Sequence, residues 1–207
     1  STASEFNTIN GLTTEAIDAS AVTSLAHDSI SNINTLLIAG NDTAQFTNTS
    51  FSQLSSVSIF DVTEYLANNT DLAAFFSAVN GYSTTAQQEA GATKHYDDYG
   101  IKEDRHDGSI DVSVLNSAIA AANTATGTTA ETASNVGQIT TVFSITSGST
   151  INNGNGAAFA TLLANEELGN IFITNQNLTV ESGFISVDEA NLLSATTEGT
   201  VTASITT

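Results

Sequence analysis

The run Glu103-Asp104-Arg105-His106-Asp107-Gly108-Ser109-Ile110-Asp111 comes nearest to a metal site in this 207-residue chain. A calcium loop of the EF-hand or dockerin kind needs oxygen ligands at its first, third and fifth positions. It also needs glycine at the sixth, an apolar residue at the eighth and a bidentate acid at the twelfth. With Glu103 taken as first, Asp107, Gly108, Ile110 and Asp111 fall at the fifth, sixth, eighth and ninth. Glu103, Asp107 and Asp111 are therefore the candidate calcium ligands. Arg105 at the third position and Val114 at the twelfth depart from the pattern. The competing reading is an Asp-Gly turn followed by Asp111 as the cap of a helix.

Other chemistries find less support. His95 and His106 lie in the same segment as Asp97, Asp98 and Asp107, but no HExxH spacing makes them a zinc site. His27 stands alone near an expected helix start. There is no cysteine to act as a nucleophile and no GxSxG elbow to present a serine. Glu166 and Glu167 are neighbours on an expected helix, so they point to different faces rather than across one glycosidic bond. Asn152-Asn153-Gly154-Asn155-Gly156 has the glycines of a phosphate loop without its lysine, and reads as a hairpin or strand-to-helix turn. No catalytic residue is expected, and the chain reads as a non-enzyme.

Charge narrows the partners. Twenty-two acids stand against three bases, for a formal charge of −19. Lys94, Lys102 and Arg105 all lie within 94–111; the other 189 residues hold 16 of the acids and no base. Nucleic acid and anionic membrane surfaces are disfavoured, since both demand clustered Lys and Arg. The remaining surface must be Ser, Thr, Asn and Gln, with acids left solvated or neutralised by cations. No apolar run reaches the roughly 20 residues of a membrane span. Ser1–Glu5 does not resemble an export signal, so any such signal is expected elsewhere or removed.

The elements that must carry these residues alternate. Ile30, Ile33, Leu36 and Leu37 recur at three and four within Val22–Gly40, the spacing of one buried helix face. Leu66, Leu72, Phe75, Phe76 and Val79 do much the same within Val62–Gly81, with Asp61 or Thr70 as cap. Extended stretches are predicted before each helix, at Ala16–Thr23 and Ser56–Phe60. Ser83–Gly100 is polar and glycine-punctuated and reads as a loop. Helices are predicted at Asp111–Asn123 and Ala157–Leu168, and strands at Ile139–Ile145, Ile171–Thr174, Leu178–Val187 and Thr200–Ile205. The fold class is mixed α/β (α+β): short strand–helix units open to solenoid-like stacking, with a β-rich C-terminal half. The chain divides into a strand–helix region over 1–82, a charged polar linker over 83–110, and a helix plus β-rich region over 111–207.

One motif occurs at both ends. Glu5–Ser20 and Glu189–Ser204 align without a gap at an offset of 184, matching at Glu5/Glu189, Asn7/Asn191, Thr13/Thr197, Ala19/Ala203 and Ser20/Ser204. Ile9/Leu193 and Ile17/Val201 are conservative pairs. Each copy reads as a short helical turn, a Thr-containing corner and a strand entered through Ile or Val. Ile17–Leu25 (IDASAVTSL) and Ile185–Ile205 resemble the tandem-repeat modules of very large secreted cyanobacterial cell-surface proteins, of the adhesin, RTX-like and S-layer-like kind. The RTX nonapeptide itself is missing, so its calcium-roll mechanism does not transfer. The resemblance implies export, an extracellular setting and a structural or adhesive role. The partners it implies are further copies or tandem modules, with a glycan or cell-surface target for an adhesin. A phage virion appendage and a fragment of a secreted hydrolase are the alternatives.

Overall fold

The computed structural model describes residues 1–47, 49–100, 102, 103, 105, 108–127 and 140–206. Among them run eight α-helices and seven strands in a mixed α/β order. Helix α1 (Ala3–Leu12) precedes strand β1 (Ser24–Asp28), helix α2 (Ile30–Gly40) and strand β2 (Ser56–Ile59). Helices α3 (Val62–Asn68), α4 (Thr70–Phe75) and α5 (Thr85–His95) follow, then β3 (Ser109–Asp111) and α6 (Val112–Thr126). The chain continues through β4 (Val142–Ile145), β5 (Thr150–Asn155), α7 (Gly156–Glu167), β6 (Asn177–Ser182), α8 (Val187–Thr196) and β7 (Val201–Thr202).

All the ladders are parallel. One sheet has the order β1-β2-β4, the other β3-β5-β6-β7. Parallel neighbours need a crossover, and helices supply it: α2 between β1 and β2, α7 between β5 and β6, α8 between β6 and β7. Helices pack in sequence along the array, α1 on α2, α2 on α6, α6 on α7 and α7 on α8. One apolar cluster runs the length of this arrangement, from Ala3 through Ile33, Leu36, Leu115, Phe143, Phe159 and Leu178 to Leu193. Along the strands buried apolar positions alternate with half-buried or exposed polar ones, as in Ser56–Ile59 and Asn177–Ser182, so one side of each strand turns to the core.

Residues 60–100 leave this array between β2 and β3 and build a core of their own. Phe60, Tyr65, Leu72, Phe76, Ala92 and Tyr96 form it, with Phe60 stacked on Tyr96 at a centroid distance of 4.4 Å. The structure corrects the loop predicted over Ser83–Gly100: it is α5 followed by a π-helical turn at Tyr96–Gly100. A capping box starts this helix, since Thr84 Oγ1 accepts from Gln87 N while the Gln87 side chain accepts from the Thr84 backbone. Ala92 and Tyr96 then anchor it on the Phe76 and Tyr65 rings.

Three further expectations shift. The strand before α2 is Ser24–Asp28 rather than Ala16–Thr23, which contributes only the Ile17–Phe46 bridge. The single face predicted across Leu66–Val79 breaks at Asn69, where α3 ends and α4 begins, leaving Phe75 and Val79 exposed. Val187, expected to end a strand, opens α8, because Ser186 and Glu189 form a capping box there. The predicted β4 falls within its expected range, whose first residue, Ile139, lies outside the described residues.

Polar side chains join successive strands at their corners. Thr141 Oγ1 donates to the Leu54 carbonyl at 2.8 Å and Thr146 Oγ1 to Ile59 at 3.2 Å. Gln176 Nε2 donates to Thr146 at 3.2 Å, and Thr197 Oγ1 to Gln176 at 2.7 Å. Thr141, Thr146, Gln176 and Thr197 are all buried. Each therefore places its own buried polar group on a backbone carbonyl, where leaving it unpaired would cost about 1–3 kcal/mol. This explains a Thr-rich chain whose threonines are not merely surface.

Candidate functional site

Lys94, Lys102 and Arg105 lie within or just after the inserted segment, and so do most of the ion pairs among the described residues. Arg105 reaches Asp71 with both terminal nitrogens, Asn69 Oδ1 with Nη1 at 3.1 Å and Glu103 with Nε at 2.7 Å. Asp71 is held below the ordinary carboxylate range by its hydrogen bond from Arg105. Arg105 is raised in turn, first by Asp71 and then by Glu103. Lys94 bonds to Asp98 one helical turn on, which raises the lysine. These contacts clasp α4 to the segment that leads toward β3.

That clasp bears on the candidate calcium ligands. Glu103 spends a carboxylate oxygen on Arg105. Asp111 Oδ1 accepts from Ser113 N at 2.8 Å and Val114 N at 3.1 Å, capping α6. Asp107 lies outside the described residues, as does His106. Among the described residues no three His, Asp or Glu side chains converge as metal ligands. Glu64 Oε2, which no sequence pattern singled out, accepts from Ser109 N at 2.9 Å and so pins the start of β3 to α3.

Two histidines sit in the aromatic core. His95 Nδ1 lies 3.1 Å from the Tyr65 hydroxyl, and burial pushes the Tyr65 phenol up to about 12. His27, on β1, contacts Asp97 Oδ1 through Nε2 at 3.0 Å and packs edge-on against Phe60 and Tyr96. Its Nδ1 is buried without a partner. Among the described residues no serine or threonine hydroxyl is held on that nitrogen.

A cleft of about 580 Å³ opens beside it, lined by Glu5, His27, Asp28, Asp61 and Glu89 among others. Asp28 is already committed there, accepting from Ser4 N at 2.6 Å, Ser29 N at 2.8 Å and Asn32 Nδ2 at 2.8 Å. It serves to fasten α1 to the β1–α2 junction. Glu166 and Glu167 occupy the last turn of α7 as adjacent residues, and Glu167 lines the groove between α7 and α8 together with Glu189.

The two ends of the array show a closer correspondence. Both α1 and α8 are ten residues long and start with a capping box, Thr2 with Glu5 and Ser186 with Glu189. Both stop in extended conformation at a threonine, Thr13 with φ −124°, ψ 152° and Thr197 with φ −127°, ψ 148°. The next corner repeats as well: Glu15 N donates to Thr13 Oγ1 at 3.0 Å, Gly199 N to Thr197 Oγ1 at 2.9 Å. The ten-residue helix, its capping box and the threonine corner after it thus match at the two ends, at the offset of 184.

Neither a family model, a curated protein nor a solved structure matches this chain. No helix among the described residues is long and apolar enough to cross a membrane.

Proposed function

We propose that this chain is a non-enzymatic, self-associating structural module of an extracellular layer, filament or adhesin. In this reading strand–helix units succeed one another in solenoid-like fashion, and the units, not a pocket, are the working parts. The observation that carries it is the recurrence of the α1 motif in α8, down to cap, corner and hydrogen bonds. A unit that recurs at both ends belongs to a repeating assembly, because each unit covers its apolar face with the next. The acid-rich, base-poor surface supports the extracellular setting and excludes polyanionic partners. A glycan or cell-surface target fits the adhesin form of this role.

Like-charged modules repel unless salt screens them or cations bridge them, so calcium belongs to the proposal as an assembly factor. The test is sedimentation velocity and negative-stain electron microscopy of the purified chain over a wide concentration range, in chelator and in millimolar calcium. Concentration-dependent oligomers or filaments are expected, stronger with calcium. A chain that stays monomeric under every condition overturns the proposal. A melting temperature identical in chelator and calcium removes calcium from it.

A further inference from the structure

Helices α1, α2, α6, α7 and α8 obey one positional rule, and each end of the array breaks it once. Counting from the N-cap residues Thr2, Ser29, Asp111, Asn155 and Ser186, the seventh residue is Ile9, Leu36, Ala118, Leu162 and Leu193. Leu36, Ala118, Leu162 and Leu193 are at most 2% exposed, whereas Ile9 is 51% exposed. The first residue after each cap is Ala3, Ile30, Val112, Gly156 and Val187. Here Ala3 and Val112 are fully buried, Ile30 and Gly156 partly, and Val187 is 56% exposed. Helix α1 has its α2-facing side covered and its other side open, and α8 has the reverse.

The missing neighbours are therefore defined by the array itself. Leu193 of α8 shares its groove with Phe159, Ala160 and Leu163 of α7, the fourth, fifth and eighth residues after Asn155. The fourth, fifth and eighth residues of α8 are Ala190, Asn191 and Ser194, half-buried or exposed. Ile9, at the Leu193 position, faces outward beside an open hollow of about 430 Å³ lined by Ser1, Glu5, Phe6, Thr8 and Ile9. The corner agrees: Thr197 Oγ1 is buried and donates to Gln176, while Thr13, oriented by the same turn, is exposed. The extended segment after it also has a free side among the described residues, where Ile17 bridges to Phe46 and β7 pairs with β6.

Resting on the self-associating role above, we propose that a second copy of this chain docks head to tail. The open face of its α8, at Ala190, Asn191 and Ser194, covers Ile9 and Leu12. This continues the α7–α8 interface already present in the molecule. The β7 edge of that copy then adds to the extended segment around Ile17, and Thr13 donates to a carbonyl at the neighbour's Thr197 corner. The contact joins two different surfaces, so it leaves both outer ends free and propagates into a filament. Lattice-like growth from a single small apolar contact plus strand addition follows the β-augmentation mode.

The chain has no cysteine, so introduced thiols report the geometry cleanly. Ile9→Cys and Asn191→Cys variants, each exposed and checked for unchanged melting, are oxidised separately and as a mixture in screening salt. Cross-linked dimers appearing only in the mixture, and a ladder from the double variant, are expected. Ile9→Asp is expected to raise the concentration needed for assembly by roughly tenfold or more; Val79→Asp, on the exposed tip of the insert, leaves it unchanged. Cross-linking within either single variant, or unimpaired assembly of Ile9→Asp, overturns the head-to-tail contact while leaving self-association intact. Failure of the unaltered chain to assemble at all overturns the structural role itself, and this contact with it.

Discussion

Arg105 holds Asp71 through two parallel hydrogen bonds, Nη1 to Oδ1 at 2.9 Å and Nη2 to Oδ2 at 2.8 Å. The fork ties α4 to the segment before β3, and the same guanidinium takes up Asn69 and Glu103. Arg105→Gln keeps length but loses the fork. Hydrogen-exchange protection is expected to fall across Thr70–Phe75 while α2 and α6 keep theirs, because the inserted core is separate from the main one. The Asp71 carboxyl is lowered in the fold. Its contribution is therefore present above the ordinary aspartate value of about 4 and fades as pH falls through the folded value. The difference between variant and parent should shrink on acidification, and with added salt, since Asp71 is exposed.

Ile9 and Leu193 make a matched pair of substitutions. Both are the seventh residue after a capping-box threonine or serine, and both are aliphatic. Leu193→Ala removes side-chain volume from a buried site and is expected to cost about 2–5 kcal/mol. Ile9→Ala changes an exposed one and is expected to stay within about 0.5 kcal/mol in dilute, monomeric protein. Urea unfolding of the two variants gives both values. Equal losses would mean that α1 is covered in the monomer.

Gly154 is required by packing rather than by backbone freedom. A Cβ there would come within 2.2 Å of Val112 Cγ1 and 3.1 Å of Ala158 Cβ. Both neighbours are held at the starts of α6 and α7, so neither can swing aside as a flexible tip would. Gly154→Ala is expected to destabilise by about 1–3 kcal/mol through overpacking. Combining it with Val112→Ala should restore part of that loss, which thermal melting of the single and double variants will read.

Much of this architecture is written in spacing that a reader of the sequence can use. Ile33, Leu36 and Leu37 mark the buried face of α2, and Asp111 announces α6 as its cap. The end motif shows as five matches around Thr13/Thr197; in the fold its copies share a capped helix and a threonine corner and then differ, Ile17 making an isolated bridge and Val201 a strand. What escaped was set by contacts far along the chain. α5 has low apolar content, and only Ala92 is fully buried, so its periodicity is faint; the Thr84-x-x-Gln87 box was the one local signal. Ser24–Asp28 becomes a strand because β2 lies beside it. The reciprocal exposure of Ile9 and Val187 has no sequence signature, since it depends on which neighbour each helix finds.

Tyr65 makes the inserted core sensitive to alkali. Its ring is fully buried against Phe60 and Tyr96, and its hydroxyl lies 3.1 Å from His95 Nδ1. Burial disfavours the phenolate and pushes the group up to about 12. The folded value lies above the unfolded one of about 10. The stabilisation is therefore complete below about 10 and is lost as pH rises through the folded value. Lys94, raised by Asp98, titrates in the same sense but from an exposed position. Tyr65→Phe removes the ionisable group and keeps the ring. It is expected to melt slightly below the parent at pH 7, having lost the bond to His95. Between about pH 10 and 11.5 its melting temperature should then decline less steeply than the parent's. Parallel declines would assign the alkaline sensitivity to Lys94, and a Lys94→Gln variant would then flatten the curve where Tyr65→Phe does not.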